Sequence, residues 1–127
     1  MPVIGIGMDI VSVPEFSEQL TRPGSVFAAR VFTPAESAYC GSDSSRFAAR
    51  WAAKEAVLKA WSSSRFGQAP EAPEQLYQEI EVVKDAWGRP AVELHGRVAE
   101  CLEGVRVHVT LTHDGPMAGA MVVLERD

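Results

Sequence analysis

The sequence is poor in cysteine and has no long apolar run, and both shortages exclude whole classes of protein. Its two cysteines, Cys40 and Cys101, are far apart and form no CxxC motif. This argues against a disulfide framework or a zinc site, and it fits a reducing cytoplasm. No apolar stretch approaches the roughly 18 residues that a bilayer-spanning helix needs, and the amino terminus lacks a signal-peptide pattern. We therefore expect a cytoplasmic protein with no membrane partner.

Positive charge is also in short supply. Lysine and arginine together number 12 against 17 aspartates and glutamates, so the net charge is −5. This excess of negative charge argues against nucleic acid as the main partner. Any anionic ligand must therefore be held by a local cluster of cations. The length of 127 residues predicts one domain, residues 1–127.

The most informative segment spans residues 46–61, which are rich in alanine and contain no glycine or proline. This composition predicts a helix of four turns or more, with Ser44 or Ser45 as its N-cap. At roughly 100° per residue, its charged side chains fall into two groups: Arg46, Arg50 and Lys54, then Glu55 and Lys59. The alanines fill the remaining side, where a sheet or a second helix packs closely. We therefore expect the charged groups to lie at the edge of the buried region.

Spacing alone leaves two interpretations of these charges open. The first is a solvated surface on which Glu55 and Lys59 form an i, i+4 pair contributing a few tenths of a kcal/mol. The second is an anion site, because a row of cations beside a carboxylate suits a phosphate ligand that shares its charge with a metal.

The amino-terminal segment, residues 3–13, predicts a buried strand because it is almost entirely apolar. Its one charged residue, Asp9, must pair with a cation, accept hydrogen bonds, cap the next turn or bind a metal, because an isolated buried carboxylate is costly. Gly5 and Gly7 do not complete a dinucleotide-binding motif, since Ile10 occupies the place of its third glycine. We expect them to allow close backbone approach within the sheet.

The remaining elements predict an α+β fold with a long central helix packed on a mostly antiparallel sheet. Helices should begin at Ser12 and at Thr33, each with a glutamate at the capping-box position, and a loop is expected at 67–73. Hairpins pair 80–84 with 91–94 and 105–113 with 117–124, and a short helix lies between them at 97–102. His113, at a strand end, is either a satisfied core or rim residue or a ligand contact.

Four motifs occur in order along the chain. They are Gly-Ile-Gly-Met-Asp at 5–9, the pattern made by Arg50, Lys54, Glu55 and Lys59, the turn Gly88, Arg89 and Pro90, and Val-Thr-Leu-Thr-His at 109–113. With these motifs the chain closely resembles the holo-[acyl-carrier-protein] synthases, which are small 4′-phosphopantetheinyl transferases, over nearly its whole length.

The resemblance implies transfer of 4′-phosphopantetheine from coenzyme A to a serine of an apo acyl carrier protein. It also implies a requirement for Mg²⁺, release of adenosine 3′,5′-bisphosphate and a role in activating fatty acid biosynthesis. By resemblance, Asp9 and Glu55 bind the metal and Lys59 lies near the transferred phosphate and the attacking serine. The implied coenzyme A contacts are Arg50, Lys54, Lys59, Gly88, Arg89, Pro90 and His113. Enzymes of this type are homotrimers with active sites between subunits.

The chain departs from the family pattern in one respect, which concerns recognition of the carrier protein. In many family members the first helix carries basic residues that meet an acidic carrier, but residues 12–20 here contain Glu15 and Glu18 and no lysine or arginine. Arg22 and Arg30 are the remaining candidates for docking. The acceptor is then either a free carrier protein or the carrier domain of a large fatty-acid synthase.

Two other classes of function are possible. A coenzyme A sensor would need no catalytic base, so the presence of Asp9, Glu55 and Lys59 together argues against it. A purely structural subunit would not need the charged helix.

Overall fold

The computed structural model describes residues 2–71 and 76–127, in which helices and strands form an α+β fold. The helices are α1 (Val13–Thr21), α2 (Phe27–Val31), α3 (Pro34–Cys40), α4 (Ser44–Ser63), a 3-10 turn (Tyr77–Glu79) and α5 (Gly96–Cys101). The strands are β1 (Val3–Ser12), β2 (Ile80–Lys84), β3 (Pro90–Leu94), β4 (Val105–Asp114) and β5 (Met117–Arg126).

The strands form two separate antiparallel sheets. One has the order β1-β5-β4, and the other is the β2-β3 hairpin. Helix α4 lies across β1 and β5, where its alanines form the centre of the core. The predicted packing of a long helix on an antiparallel sheet is therefore confirmed. The sequence patterns did not show that the hairpin stands apart from the larger sheet.

Helix α4 begins one residue earlier than its predicted caps. Asp43 is the N-cap, and its carboxylate accepts hydrogen bonds from the backbone N–H groups of Ser45 and Arg46. An ionised carboxylate at a helix amino terminus also interacts favourably with the helix dipole. Although α4 has 20 residues, no helix within residues 2–71 and 76–127 combines the length and apolar character needed to cross a bilayer.

The start of α3 follows the prediction, but two short elements were missed. Thr33 and Glu36 form a reciprocal capping box. In contrast, α2 and the 3-10 turn have no side-chain cap at their N-cap residues, Val26 and Leu76. Elements this short without a cap leave no start signal in the sequence. Part of the predicted loop, residues 72–73, lies outside the described residues.

Gly5 and Gly7 bring β1 directly against α4, rather than against another strand as expected. A Cβ atom built at Gly7 would lie 2.1 Å from the Ala56 carbonyl oxygen, and one at Gly5 would lie 2.1 Å from that of Ala60. Real Cβ atoms do not approach an oxygen so closely. Close approach is thus confirmed, but the partner is the helix backbone.

The other face of β1 is exposed, which corrects the expectation of a strand buried on both sides. Ile6, Met8 and Ile10 are 58%, 65% and 65% exposed. They alternate with Gly5, Gly7 and Asp9 because successive side chains of a strand point to opposite faces. The continuous apolar run therefore includes one face that the described residues, 2–71 and 76–127, leave exposed.

The glycine contact leads to a test of stability. We expect Gly7→Ala to destabilise the fold by about 3 kcal/mol or more, because overpacking here is against rigid backbone. Gly119→Ala is the matched control, since its Cβ would lie 3.3 Å from the nearest atom, the Asp9 carbonyl oxygen. Denaturant unfolding measures both changes. Equal losses for the two variants would contradict the assigned contact.

Candidate active site

Asp9 and Glu55 line the same cleft, which lies between β1, α1 and α4 and has a volume of about 350 Å³. Its remaining lining residues are Ile10, Val11, Ser12, Glu15, Phe16, Gln19 and Trp51. Two carboxylates from different elements thus face one solvent-accessible space. Such an arrangement suits a divalent cation that keeps part of its coordination for waters or a phosphate ligand.

The position of Asp9 follows from the glycines that precede it. Gly5, Gly7 and Asp9 share one face of β1, and Gly7 rests on the carbonyl of Ala56. Asp9 therefore reaches the turn of α4 that carries Glu55, the residue next to Ala56. A larger side chain at Gly7 would lift the strand and separate the two carboxylates.

Lys59 completes a group of three charged residues. Its Nζ donates to Asp9 Oδ1 at 3.0 Å and to the Met8 carbonyl oxygen at 3.1 Å. The Lys59 side chain is 53% exposed, whereas that of Asp9 is 16% exposed. Within the described residues, the salt bridge of Lys59 is with Asp9 and not with Glu55. The surface pair of Glu55 and Lys59 that sequence spacing suggested is therefore replaced by a contact of Lys59, on helix α4, with Asp9, on strand β1.

Lys54 does not lie at the edge of the core as expected. Its side chain is 0% exposed, and its Nζ donates to Glu36 Oε1 and to the carbonyl oxygens of Tyr77 and Ile80 at 2.6–2.8 Å. Burial lowers the pKa of Lys54, and the Glu36 carboxylate opposes that shift. All three donors are used inside the protein. In this structure Lys54 therefore belongs to the buried core, and its donors are used there instead of for the predicted contact with coenzyme A.

Arg50 is also buried, with 2% of its surface exposed, but its donors are not saturated. One Nη donates to the Arg46 carbonyl, and the guanidinium lies 4.5 Å from the centre of the Tyr39 ring. Nε and the other Nη have no hydrogen-bond partner among the residues that the structure describes. Arg46 and Lys84 lie near the same ring, at 5.0 and 5.7 Å. Orphaned donors among three cations are suited to an anion.

The other predicted contacts lie in different places. His113 is exposed and, together with Asp9, lines a second cleft of about 410 Å³ on the outward side of the large sheet. Gly88, Arg89 and Pro90 lie at the end of the β2-β3 hairpin, where Arg89 pairs with Asp85 at 2.6 Å. In the described part of the chain, neither cleft beside Asp9 includes these three residues. The predicted coenzyme A contacts therefore do not all lie around one cleft of a single chain.

A second set of metal-ligand atoms lies on the hairpin, in Glu81, Glu93 and His95, all within 4.8 Å of one another. Glu81 already accepts hydrogen bonds from Thr33 and His95 contacts its other oxygen. The Thr33 hydroxyl is the main cause of the lowered pKa of Glu81. This carboxylate is thus satisfied by the protein, so Asp9 and Glu55 are the better metal candidates.

Sequence reasoning missed three residues near the site. Glu15 was interpreted only as a capping residue, yet it lines the cleft with Asp9 and Glu55. Trp51 forms a wall of the same cleft, and its ring centre lies 4.9 Å from that of Tyr77. The position of Trp51 one turn before Glu55 was a usable signal. Tyr77 carried none, because it lies 22 residues farther along the chain.

Comparisons with known proteins agree on one family. A model described as the 4′-phosphopantetheinyl transferase superfamily matches residues 5–118. The holo-[acyl-carrier-protein] synthase of Nocardia farcinica is 57% identical, covering 98% of this chain and 89% of the relative. That of Mycobacterium tuberculosis H37Rv is 53% identical, covering 98% of both chains.

Solved structures show the same likeness. The Mycobacterium tuberculosis acyl carrier protein synthase has a TM-score of 0.86 at 47% identity, over 99% of this chain and 100% of that one. A complex of the Chronobacterium ammoniagenes synthase with coenzyme A has a TM-score of 0.87 at 41% identity, over 96% of both chains.

The different roles of the two lysines on α4 can be tested by unfolding. We expect Lys54→Met to cost about 3–5 kcal/mol, because it leaves the Glu36 carboxylate buried without its cation. The matched control, Lys59→Met, should cost less than about 1 kcal/mol, because Lys59 is half exposed. Denaturant titration followed by circular dichroism measures both. A smaller loss for Lys54→Met than for Lys59→Met would contradict the assignment.

Proposed function

Because the chain belongs to the 4′-phosphopantetheinyl transferase superfamily, among the holo-[acyl-carrier-protein] synthases, we propose that it transfers 4′-phosphopantetheine from coenzyme A to a serine of an apo acyl carrier protein. The family makes the chain an enzyme with coenzyme A as donor. The observation that carries the assignment of the site is that Asp9 and Glu55 line one cleft while Lys59 forms a salt bridge with Asp9. The released product is adenosine 3′,5′-bisphosphate.

The reaction needs one displacement at phosphorus. The serine oxygen bonds to the phosphorus that bears the pantetheine arm, and the bond from that phosphorus to the bridging pyrophosphate oxygen breaks. The serine proton leaves, and the broken bond leaves its electrons on the departing nucleotide. The protein must hold the pyrophosphate still and stabilise the charge that develops on it.

Asp9 and Glu55 are the proposed metal ligands. Their oxygens, from two elements and open to one cleft, match the preference of Mg²⁺ for one or two carboxylates with waters and phosphate oxygens. Bound Mg²⁺ would supply charge neutralisation at the pyrophosphate. Asp9 is held in place by its salt bridge with Lys59, and Glu55 projects into the cleft from helix α4.

Lys59 has two possible roles. In the structure its ammonium donates to Asp9 and to the Met8 carbonyl, and an ammonium in this place can stabilise negative charge on the transferred phosphate. To take the serine proton, directly or through a water, it would first have to be neutral. Replacement by arginine separates these roles, because arginine keeps the charge but does not act as a base.

The coenzyme A phosphates have two kinds of proposed contact. Arg50 offers its two orphaned donors, and His113 lies in the cleft on the other side of Asp9. Gly88, Arg89 and Pro90 would flank the nucleotide. Lys54 is removed from this set because its donors are used in the core.

The outward face of the large sheet supports a homotrimer with sites between subunits. Met8 lies opposite Met121 in the register of β1 and β5, and Ile6 and Ile10 continue the same exposed apolar face. The cleft that contains His113 and Asp9 opens on this face. A second chain placed here would complete a site whose contacts one chain does not unite.

The acceptor is proposed to be an acyl carrier protein or the carrier domain of a fatty-acid synthase, in the cytoplasm, where the reaction would activate fatty acid synthesis. The exposed residues Glu15 and Glu18 make α1 a poor surface for an acidic partner. Arg30 lines a cleft of about 460 Å³ with Trp51 and Tyr77, and Trp51 also lines the cleft that contains Glu55. This neighbourhood supports Arg30 as a docking residue for the carrier, with Arg22 as the other candidate.

The central test measures carrier modification by mass spectrometry, with apo carrier protein, coenzyme A and Mg²⁺. We expect the wild type to add one phosphopantetheine and Lys59→Ala to lower kcat by about 10²- to 10⁴-fold while folding normally. Lys59→Arg should keep part of the activity if the charge is what matters, and lose it if Lys59 is the base. No modification by the wild type would reject the function, and a near-normal kcat for Lys59→Ala would reject the role of this lysine.

Assembly has a separate test. We expect Met8→Lys to lower the particle mass in light scattering and to reduce activity, because a charge on the apolar sheet face opposes its burial between subunits. Phe66→Lys is the control, since Phe66 is 95% exposed and follows α4 outside the sheet. A Met8→Lys protein with unchanged mass would show that this face is not the interface.

A further inference from the structure

Glu15 lies at the start of α1, where strand β1 runs directly into that helix. The strand ends at Ser12, whose hydroxyl oxygen caps α1 by accepting a hydrogen bond from the Glu15 backbone N–H at 3.4 Å. The backbone N–H of Val13 donates to the Pro116 carbonyl oxygen at 2.7 Å, which ties the start of the helix to the turn between β4 and β5. These contacts fix the backbone of Glu15 relative to the strand that carries Asp9.

The next residue, Phe16, holds α1 against the active-site helix. Its side chain is buried, and its ring stacks on that of Trp51 with the ring centres 6.4 Å apart. Because Trp51 precedes Glu55 by one helical turn, this contact places the first turn of α1 beside the turn of α4 that carries the proposed metal ligand. Glu15 itself is exposed to solvent and lines the cleft together with Asp9 and Glu55.

The groups around this cleft leave one candidate to accept the proton of the carrier serine. The ammonium of Lys59 donates to Asp9 and to the Met8 carbonyl oxygen, and an ammonium has no lone pair with which to accept a proton. Asp9 and Glu55 are the proposed metal ligands. Glu15 is therefore the one carboxylate lining the cleft, among the residues that the structure describes, to which no role has been assigned.

We propose that Glu15 is the general base of the transfer, and that Lys59 keeps its charge for the transferred phosphate. As the serine oxygen bonds to phosphorus, the serine proton passes to a Glu15 carboxylate oxygen, directly or through one water. The bond from phosphorus to the bridging oxygen breaks with its electrons on the departing nucleotide, and the exposed Glu15 releases the proton to solvent. An aspartate accepts the substrate hydroxyl proton in the same way in protein kinases. The inference rests on the proposed function.

Two other roles for Glu15 lead to different results. A third metal ligand would be needed for metal binding even in the absence of carrier. A charge that merely repels an acidic carrier would slow the wild type, so its removal would raise kcat/KM. A base acts only in the transition state, so its loss lowers kcat and kcat/KM together and leaves metal affinity and KM for the carrier nearly unchanged.

The experiment measures carrier modification by mass spectrometry at saturating coenzyme A and Mg²⁺. We expect Glu15→Gln to lower kcat by about 10²- to 10⁴-fold. Glu15→Asp should keep part of the activity because it keeps a carboxylate, and added formate should restore part of kcat in Glu15→Ala by supplying one. Glu18→Ala is the matched control, since Glu18 is exposed on α1 but does not line the cleft. Its kcat should stay within about twofold of wild type, with or without formate.

Three results would overturn the base role while leaving the proposed function in place. They are a Glu15→Gln enzyme with kcat within about threefold of wild type, a loss in Glu15→Ala that neither formate nor the Glu15→Asp substitution restores, and weakened metal binding by Glu15→Gln. Metal binding is measured by titrating Mn²⁺ into the full-length protein with coenzyme A and without carrier, followed by electron paramagnetic resonance. Thermal unfolding checks that each variant is folded. A wild type that modifies no carrier would instead reject the proposed function itself.

Discussion

The buried pair of Lys54 and Glu36 is the interaction on which the rest of the structure depends. Lys54 donates to Glu36 and to two backbone carbonyls of residues 77–80, and Glu36 also accepts from the backbone N–H groups of Thr33 and Val82. One ion pair thus joins α3, α4, the 3-10 turn and the β2-β3 hairpin. Buried charges are tolerated only when fully compensated, so these elements can adopt only a narrow range of relative positions.

A second constraint acts on the opposite side of α4. Gly5 and Gly7 let β1 rest on the helix backbone, which brings Asp9 to the turn that carries Glu55. Helix α4 is therefore held by a buried ion pair on one side and by backbone contact on the other. Catalytic side chains keep a more precise geometry when the element that carries them is held rigidly. Glu55 and Lys59 occupy the part of the helix that remains accessible between these two contacts.

Much of the local structure could be predicted from the sequence. Thr33 and Glu36 marked the start of α3, the alanine-rich segment marked α4, and the alternation of Val105 to Thr112 marked β4, because caps and periodicity act over a few residues. The candidate site was found through a family resemblance. Spacing alone left Glu55 and Lys59 open between a surface pair and an anion site, since a helix shows which residues share a face but not what covers that face.

The sequence by itself determined the helices, the hairpins and the identity of the charged residues available to a phosphate or a metal. Only the tertiary structure decided which of these charged side chains remain accessible to a ligand. Lys54 and Lys59 are the same residue type on the same helix, α4. Lys54 is buried against Glu36, which lies 18 residues away in the chain, whereas Lys59 pairs with Asp9 beside the cleft. Burial and partners are properties of packing between distant segments, and for that reason they were not visible in the sequence.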